Sequence, residues 1–262
     1  MIASIDHRHI LYDGSCKTTR QLTIGDRLLP ANLNPKRAEN SRPDWQIGWT
    51  AIMIGDGMMR GRQAQFTAVG DSRVMRDLPP FPPKCKLSIV VPGKEYRVTL
   101  DGPRRNNPLV MSLKRDGLWG KLSKDKFIPD WVFRQPKEAI EKFVKWLWLT
   151  DGCNYGERNS KYTTISSRLA SDVQRLLWRI DKKATISCVW HQGGFCPKGV
   201  WAYHVITNWN NNLKFSPGQI RSIEPIGEIN VGCLEVEDAH EFIANGVVTG
   251  NSYDQDVGDF SG

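Results

Sequence analysis

Two apolar runs, each stopped by Asp-Gly, constrain this chain more than any other feature. They read "WTAIMIGDG" from Trp49 to Gly57 and "VKWLWLTDG" from Val144 to Gly152, with their aspartates 95 positions apart. The pattern predicts two helices. The first begins near Trp45 and stays almost wholly apolar until Gly55-Asp56-Gly57. The second opens at Pro136, has Glu138 in its first turn, and breaks at Thr150-Asp151-Gly152. A carboxylate at the end of a buried apolar helix is desolvated, which is costly unless a cation compensates. If the helices pack together, Asp56 and Asp151 approach, and either one pKa rises or a divalent metal neutralises the pair. Mg²⁺ fits that role, taking oxygen ligands and leaving room for a substrate phosphate. A single Asp-Gly is usually only a turn; a matched pair points to a shared reaction site for phosphodiester hydrolysis.

The segments after each helix repeat in kind. "RQAQFTAVG", "KCKLSIVVPG" and "KEYRVTLDG" follow the first, and "KYTTISS", "ATISCVWHQGG" and "GVWAYHVITN" the second. Their alternation predicts antiparallel sheets with one wet face. "SSRLASDVQRLLWRI" predicts an amphipathic helix with Leu169, Val173, Leu176, Leu177 and Ile180 on one side. Residues 1 to about 43 and the stretch from Gln219 onward are β-rich, and "LNPKRAENSRPD" is polar with two prolines, as a linker would be. The texture is that of a β domain interrupted by a duplicated αββ domain.

Composition narrows the partners. The net charge of +8 suggests a polyanion, and no apolar run approaches the ~20 residues of a membrane span. The start, "MIASIDHRHILYDG", lacks a signal peptide's apolar centre, so a cytoplasmic location in a bacterial or phage-infected cell is expected. Six cysteines (Cys16, Cys85, Cys153, Cys188, Cys196 and Cys233) are scattered without a C-x-x-C pair, which speaks against structural zinc.

The paired motifs resemble those of the LAGLIDADG homing endonucleases. "DGLWGKLSKDKFIPDWVF" and "KYTTISSRLASDVQRLLWRI" resemble the segments that precede and follow the second motif in that family. The resemblance implies an α+β fold, a pseudo-twofold αββαββα endonuclease domain over residues 45–217. It also implies a monomer that is internally a pseudo-dimer, cutting a long asymmetric double-stranded DNA site. Asp56 and Asp151 would bind Mg²⁺, with Gly55 and Thr150 in the metal set, and Lys126 would assist, with Lys124 the next candidate. Ala51 and Gly55 suit the close approach of the motif helices. In the second copy Trp146 stands where the family often has Gly, and Leu149 where it often has Asp. Such a Trp is expected to push the helices apart, and a decayed nuclease that only binds DNA is the alternative this raises.

The flanks resemble intein splicing blocks of the Hint type. "SIDHRHIL" resembles the Thr-x-x-His block, with Ser4 for Thr and His7 in the histidine position, and "GCLEVEDAHEFIANGVVTGNS" resembles the C-terminal blocks. The resemblance implies that residues 1–44 and 218–251 form a splicing domain lacking its N-terminal part, with 252–262 an extein remnant. Asn251 would cyclise and cut the peptide bond after it, and the Ser252 hydroxyl would accept an acyl group. His240 and His7 would serve in proton transfer. Cys233 and Thr249 resemble a class in which that Cys is the branching nucleophile, although that class has Trp where His9 stands here, and Gly250 replaces the usual penultimate His. An N-terminal intein fragment is the partner this implies, with protein processing as the alternative main activity.

Overall fold

The computed structural model describes residues 3–29, 41–61, 63–69, 72–102, 106–193, 196–212, 218–228, 241–244 and 247–250. The chain divides into two compact units, Met1–Leu33 with Lys214–Gly262, and Asn34–Leu213. The first unit begins with three short strands: β1 (Arg8–Ile10), β2 (Cys16–Thr18) and β3 (Arg27–Leu28). Most of the polar segment read as a linker lies outside the described residues.

The second unit opens with α1 (Asp44–Gly55), which follows Pro43 and carries Asp44 in its first turn. Gln46 through Ile54 are all buried, so this helix is core on every side. There follow β4 (Gly57–Arg60), β5 (Gln63–Thr67), the single turn α2 (Arg73–Arg76), β6 (Cys85–Val91), β7 (Glu95–Leu100) and α3 (Pro108–Arg115). Asn107 starts α3 by accepting hydrogen bonds from the backbone N–H groups of Leu109 and Val110, with Pro108 at the first position. Next come α4 (Asp130–Phe133), α5 (Lys137–Asp151), β8 (Gly152–Cys153), β9 (Ser160–Thr164), α6 (Ser167–Arg179), β10 (Lys182–Gly193) and β11 (Cys196–Asn212). The chain then returns to the first unit with β12 (Gly218–Gln219), β13 (Glu241–Ala244) and β14 (Val247–Gly250). Among the described residues no helix is long and apolar enough to cross a membrane.

The second unit repeats itself in space. Its two antiparallel sheets run β4-β5-β7-β6 and β8-β9-β11-β10, the same order in each half. Gly57 lies opposite Phe66 in one and Gly152 opposite Tyr162 in the other. Each half is αββαββ rather than αββ: the short strands β4 and β8, four and two residues long, follow the aspartates directly, and α2 and α6 separate the two strand pairs of each half. Phe66 and Val98 of one sheet, Tyr162 and Val205 of the other, and α1, α5 and α6 bury their apolar faces in a common core. Each side chain such as Ile52, Phe143 or Leu147 contributes about 1.5–3 kcal/mol by burial. The predicted stripe on α6 is buried as expected, Leu169, Val173, Leu176 and Leu177 on the helix and Ile180 just past its end. The surface pair Lys142–Asp44, at 2.8 Å and about half exposed, adds ~1 kcal/mol at most.

Both Asp-Gly glycines are demanded by crowding, not by a left-handed turn. A Cβ on Gly57 would collide with the Met53 backbone, and one on Gly152 with Trp148, the residue four positions back in each case. Only glycine lets the chain fold straight back from the helix end into a strand. A third glycine, Gly55, sets the contact between α1 and α5: a Cβ there would overlap the Thr150 side chain. Gly55→Ala is therefore expected to cost about 1–3 kcal/mol in urea denaturation. A double-mutant cycle with Thr150→Gly should return a coupling of about 0.5 kcal/mol or more. Strict additivity would mean the helices do not meet there.

Candidate active site

Asp56 caps α1 and Asp151 is the last residue of α5. Both carboxylates therefore sit at negative helix ends, where an anion is disfavoured. Burial, and next the neighbouring Asp151, push the Asp56 carboxyl up to about 7, against the pull of Lys126. The dense protein around Asp151 also raises its carboxyl, with Lys126 again opposing, although the residue remains open to solvent on its outer side, which limits the shift. The helix contact at Gly55 and Thr150 thus presses together two groups that cannot both ionise comfortably.

Lys126 is the countercharge. It is only 4% exposed, and its Nζ donates to the Gly55 carbonyl at 2.7 Å and the Gly57 carbonyl at 2.9 Å. Burial brings it down to about 8, the two carboxylates resisting. Its backbone is fixed from the second half: the Ser166 hydroxyl that caps α6 donates to the Lys126 carbonyl at 2.8 Å. Two residues on, the Ile128 N–H donates to the buried Asp172 carboxylate at 3.0 Å. Lys124 is exposed in the 3-10 turn Ser123–Asp125 and does not line the site.

These groups line a cavity of 460 Å³ together with Thr67, Ser123 and Thr163. Thr67 and Thr163 hold equivalent places in the two halves, each next to the residue that faces Gly57 or Gly152. They put the cavity mouth on the outward faces of the two sheets. Sequence reasoning missed these threonines and Tyr162. The Tyr162 hydroxyl is wholly buried beside Thr150 and both carboxylates, and it lacks a well-formed hydrogen bond. Its first-half equivalent is Phe66, so the hydroxyl is an extra polar atom that packing alone does not require. Alternation in "KYTT" places Tyr162 inward and Thr163 outward, and that was the available signal.

The donor set suits a hard cation. Among the described residues no cluster of three or more His, Cys, Asp or Glu side chains is arranged for a metal. What the site offers is two carboxylates and the Gly55 and Gly57 carbonyls at the end of α1, with one buried ammonium against two acids; Thr150, expected in the metal set, lines the adjoining recess beside Asp56. The Gly55 carbonyl is already engaged by Lys126 but has a second lone pair.

Trp146 does not spread the helices. It packs over Gly48, where an added Cβ would lie 2.9 Å from its ring, and its Nε1 donates to the Asp77 carbonyl at 3.0 Å. The glycine beneath it takes up the bulk, leaving the Gly55–Thr150 contact intact. Leu149 is half-buried and packs against the core.

In the first unit, the sheet β13-β14-β1-β2 sets His9 opposite Thr249. His7 Nε2 lies 2.6 Å from Thr249 Oγ1, whose hydroxyl donates to the Arg8 carbonyl at 2.8 Å. Burial lowers the His7 pKa, and burial with His7 close by takes His9 to about 4. Both rings are neutral at neutral pH. Thr249 is two positions before Asn251, while Asn251, Ser252, His240 and Cys233 lie outside the described residues.

No protein-family model matches the sequence. The chain is 29% identical over 239 residues to the replicative DNA helicase DnaB of Synechocystis sp., covering 85% of this chain and 27% of that one. It is 30% identical over 244 residues to DnaB of Rhodothermus marinus, 87% of this chain and 25% of that one. It is also 27% identical over 146 residues to a DNA gyrase subunit from Mycobacterium kansasii, 51% of this chain and 26% of that one. The chain thus spans about a quarter of the length of the curated relatives it matches. Among solved structures it is similar to mesophilic variants of the homing endonuclease I-DmoI, at 15% identity and TM-score 0.41, covering 66% of this chain and 92% of that one. It is similar in the same measure to I-DmoI in complex with DNA and Mn, at 16% identity and TM-score 0.40, covering 66% and 93%.

The raised Asp56 pKa has a definite sign in stability. Folding favours the protonated acid, so stability is highest below pH 4 as far as this group is concerned. It is lost as pH rises from the ordinary 3.8 through about 7. Lys126 stays charged in both states over that window, since its lowered pKa is about 8. In metal-free buffer the melting temperature of Asp56→Asn is expected to exceed that of the parent at pH 8, with the gap closing towards pH 4. A gap independent of pH would show that Asp56 is not held protonated.

Proposed function

We propose that the second unit is a Mg²⁺-dependent, site-specific endonuclease for long double-stranded DNA, carried within a protein-splicing element. The observation that carries the first half is the site itself: two carboxylates at adjoining helix ends, Asp56 half-buried and Asp151 open to solvent, one buried lysine against them, and a mouth on the outward faces of two basic-to-polar sheets. Asp56 and Asp151 would hold the cation, with the Gly55 and Thr150 carbonyls beside them. A bound divalent cation supplies charge neutralisation and Lewis-acid activation for phosphodiester hydrolysis. Lys126 Nζ is the one cation among the described lining residues. It would donate hydrogen bonds to phosphoryl oxygens as negative charge develops, and with a pKa near 8 it can hold or release a proton close to neutrality. Both carboxylates come from one chain, so a monomer suffices. The alternative of a decayed nuclease loses its motive, because Trp146 is seated without disturbing the helix contact.

The splicing context is supported by a different observation. One segment, a quarter of the length of its relatives, matches both a gyrase polypeptide and a replicative helicase. A shared inserted element accounts for that better than a shared enzymatic domain. The neutral His7 on Thr249 brings a proton-transfer group towards the strand that leads to Asn251. In this reading Asn251 cyclises, Ser252 is the first residue of the host, and His7 and His240 move protons. Cys233 is the branching nucleophile where that route operates.

With Mg²⁺, the chain is expected to cut duplex DNA that carries the uninterrupted host junction. Asp56→Asn and Asp151→Asn should each fall by a factor of 100 or more, on the order of what one electrostatic transition-state contact is worth. Lys126→Met should cut more slowly while binding DNA. Retained cutting in either aspartate variant would overturn the assignment. For the junction, mass spectrometry of the purified chain is expected to show loss of the eleven residues after Asn251. His7→Ala should slow that loss, and an Asn251→Ala chain that still sheds the tail would exclude cyclisation.

A further inference from the structure

The outward face of the first sheet carries a prearranged group that the cleavage site does not use. Along β5 and β7, Ala64, Phe66, Tyr96 and Val98 turn into the core, which leaves Gln63, Gln65, Glu95, Arg97 and Thr99 on the opposite face. Arg97 stands near the middle of that face, level with Gln65 on one neighbouring strand and Ser88 on the other. A relay links three of these side chains: Arg97 Nε donates to Gln65 Oε1 at 3.3 Å, and Gln65 Nε2 donates to Glu95 Oε2 at 2.7 Å. Ser88 and Thr99 satisfy each other at 2.6 Å, so they do not compete for the guanidinium. The two terminal nitrogens of Arg97 make no hydrogen bond or ion pair among the described residues, and Arg97 lines a recess of 520 Å³.

We propose that Arg97 reads one guanine in the major groove of the DNA half-site beneath the first sheet, with Gln65 and Glu95 as its positioning residues. The inference rests on the nuclease reading of this unit. An arginine whose Nε is tied down presents its two outer N–H groups as a fork, and guanine O6 and N7 are the pair of acceptors that fork matches. Anchoring by Gln65 removes side-chain freedom before binding, so less is lost when the contact forms. The Glu95 carboxylate behind the relay repels phosphates, which favours a base edge over the backbone as the partner of this arginine. The equivalent face of the second sheet presents Lys161, Thr163, Ser187 and His204 instead, so the fixed guanine belongs to one half-site only.

The experiment is selection from a random duplex library by the full chain in the absence of divalent cations, followed by sequencing of the retained pool. The parent is expected to enrich sites with guanine fixed at one position of one half-site, a change of that base weakening binding roughly 5- to 150-fold. Arg97→Lys keeps the charge and loses the fork. It should flatten that one position, leave the rest of the selected site unchanged, and retain affinity for unselected DNA. Gln65→Leu should blur the same position without affecting others. An Arg97→Lys pool with the guanine intact overturns the assignment while leaving the nuclease reading in place. A parent chain that retains no duplex at all overturns that reading, and this inference with it.

Discussion

The contact of Gly55 with Thr150 is the constraint on which the second unit turns. It lets two apolar helices approach until the residues next in sequence, Asp56 and Asp151, share one cavity. The raised Asp56 carboxyl follows from burial together with that approach, and the lowered Lys126 from its burial between the two acids. Two helix ends point their negative poles at the same space, two acids add to them, and a single buried lysine answers. In water such a cluster would simply hydrate. Here the core screens one side of the cluster from water, so the tension is expressed as an Asp56 carboxyl raised to about 7 and a Lys126 lowered to about 8.

The rest of the unit reads as the frame that sustains this arrangement. Trp148 and Tyr162 pack at 5.5 Å between centroids and lock the base of α5 against β9. Trp148 Nε1 also donates to the Ser160 hydroxyl at 2.8 Å, tying helix to strand. The lysine is held by elements of the second half, through Ser166 and Asp172. Core burial of many side chains at a few kcal/mol each offsets one site that is costly on its own. A local cost of that kind persists only where surrounding structure over-determines it.

Much of this was legible in the sequence, and what was not has physical causes. The stripe on α6 and the longer strands announced themselves through periodicity, and α1 and α5 through apolar runs closed by Asp-Gly. Strands β4 and β8 did not, since four and two residues are too few for alternation to register, and their glycines read as ordinary breaks. Sequence alone does not reveal how Trp146 is seated, because its neighbour in space, Gly48, lies 98 positions away in the chain. Lys126 over Lys124 followed from the resemblance alone; its carbonyl partners at Gly55 and Gly57 depend on the fold. Tyr162 was invisible because an inward tyrosine on a strand looks like any other core aromatic until its hydroxyl is found beside two acids.

Duplication within one chain also permits what two identical chains could not achieve. At a true twofold axis the same residue meets itself, so both sides of a close helix contact have to be small. In this chain Gly55 receives Thr150, a hole against a knob, and Gly48 receives Trp146. The same freedom sets Phe66 against Tyr162 in equivalent places, and supplies one lysine where symmetry would supply two or none. Two acids with two lysines would neutralise themselves and leave no field for a cation. Two acids with one lysine leave a net negative cavity. The asymmetry extends to the outward faces, where the Glu95–Gln65–Arg97 relay has no counterpart among Lys161, Thr163 and His204. On the proposed reading, unlike halves on a pseudo-symmetric scaffold would let one chain act on both strands of a duplex about one centre and still read two different half-sites.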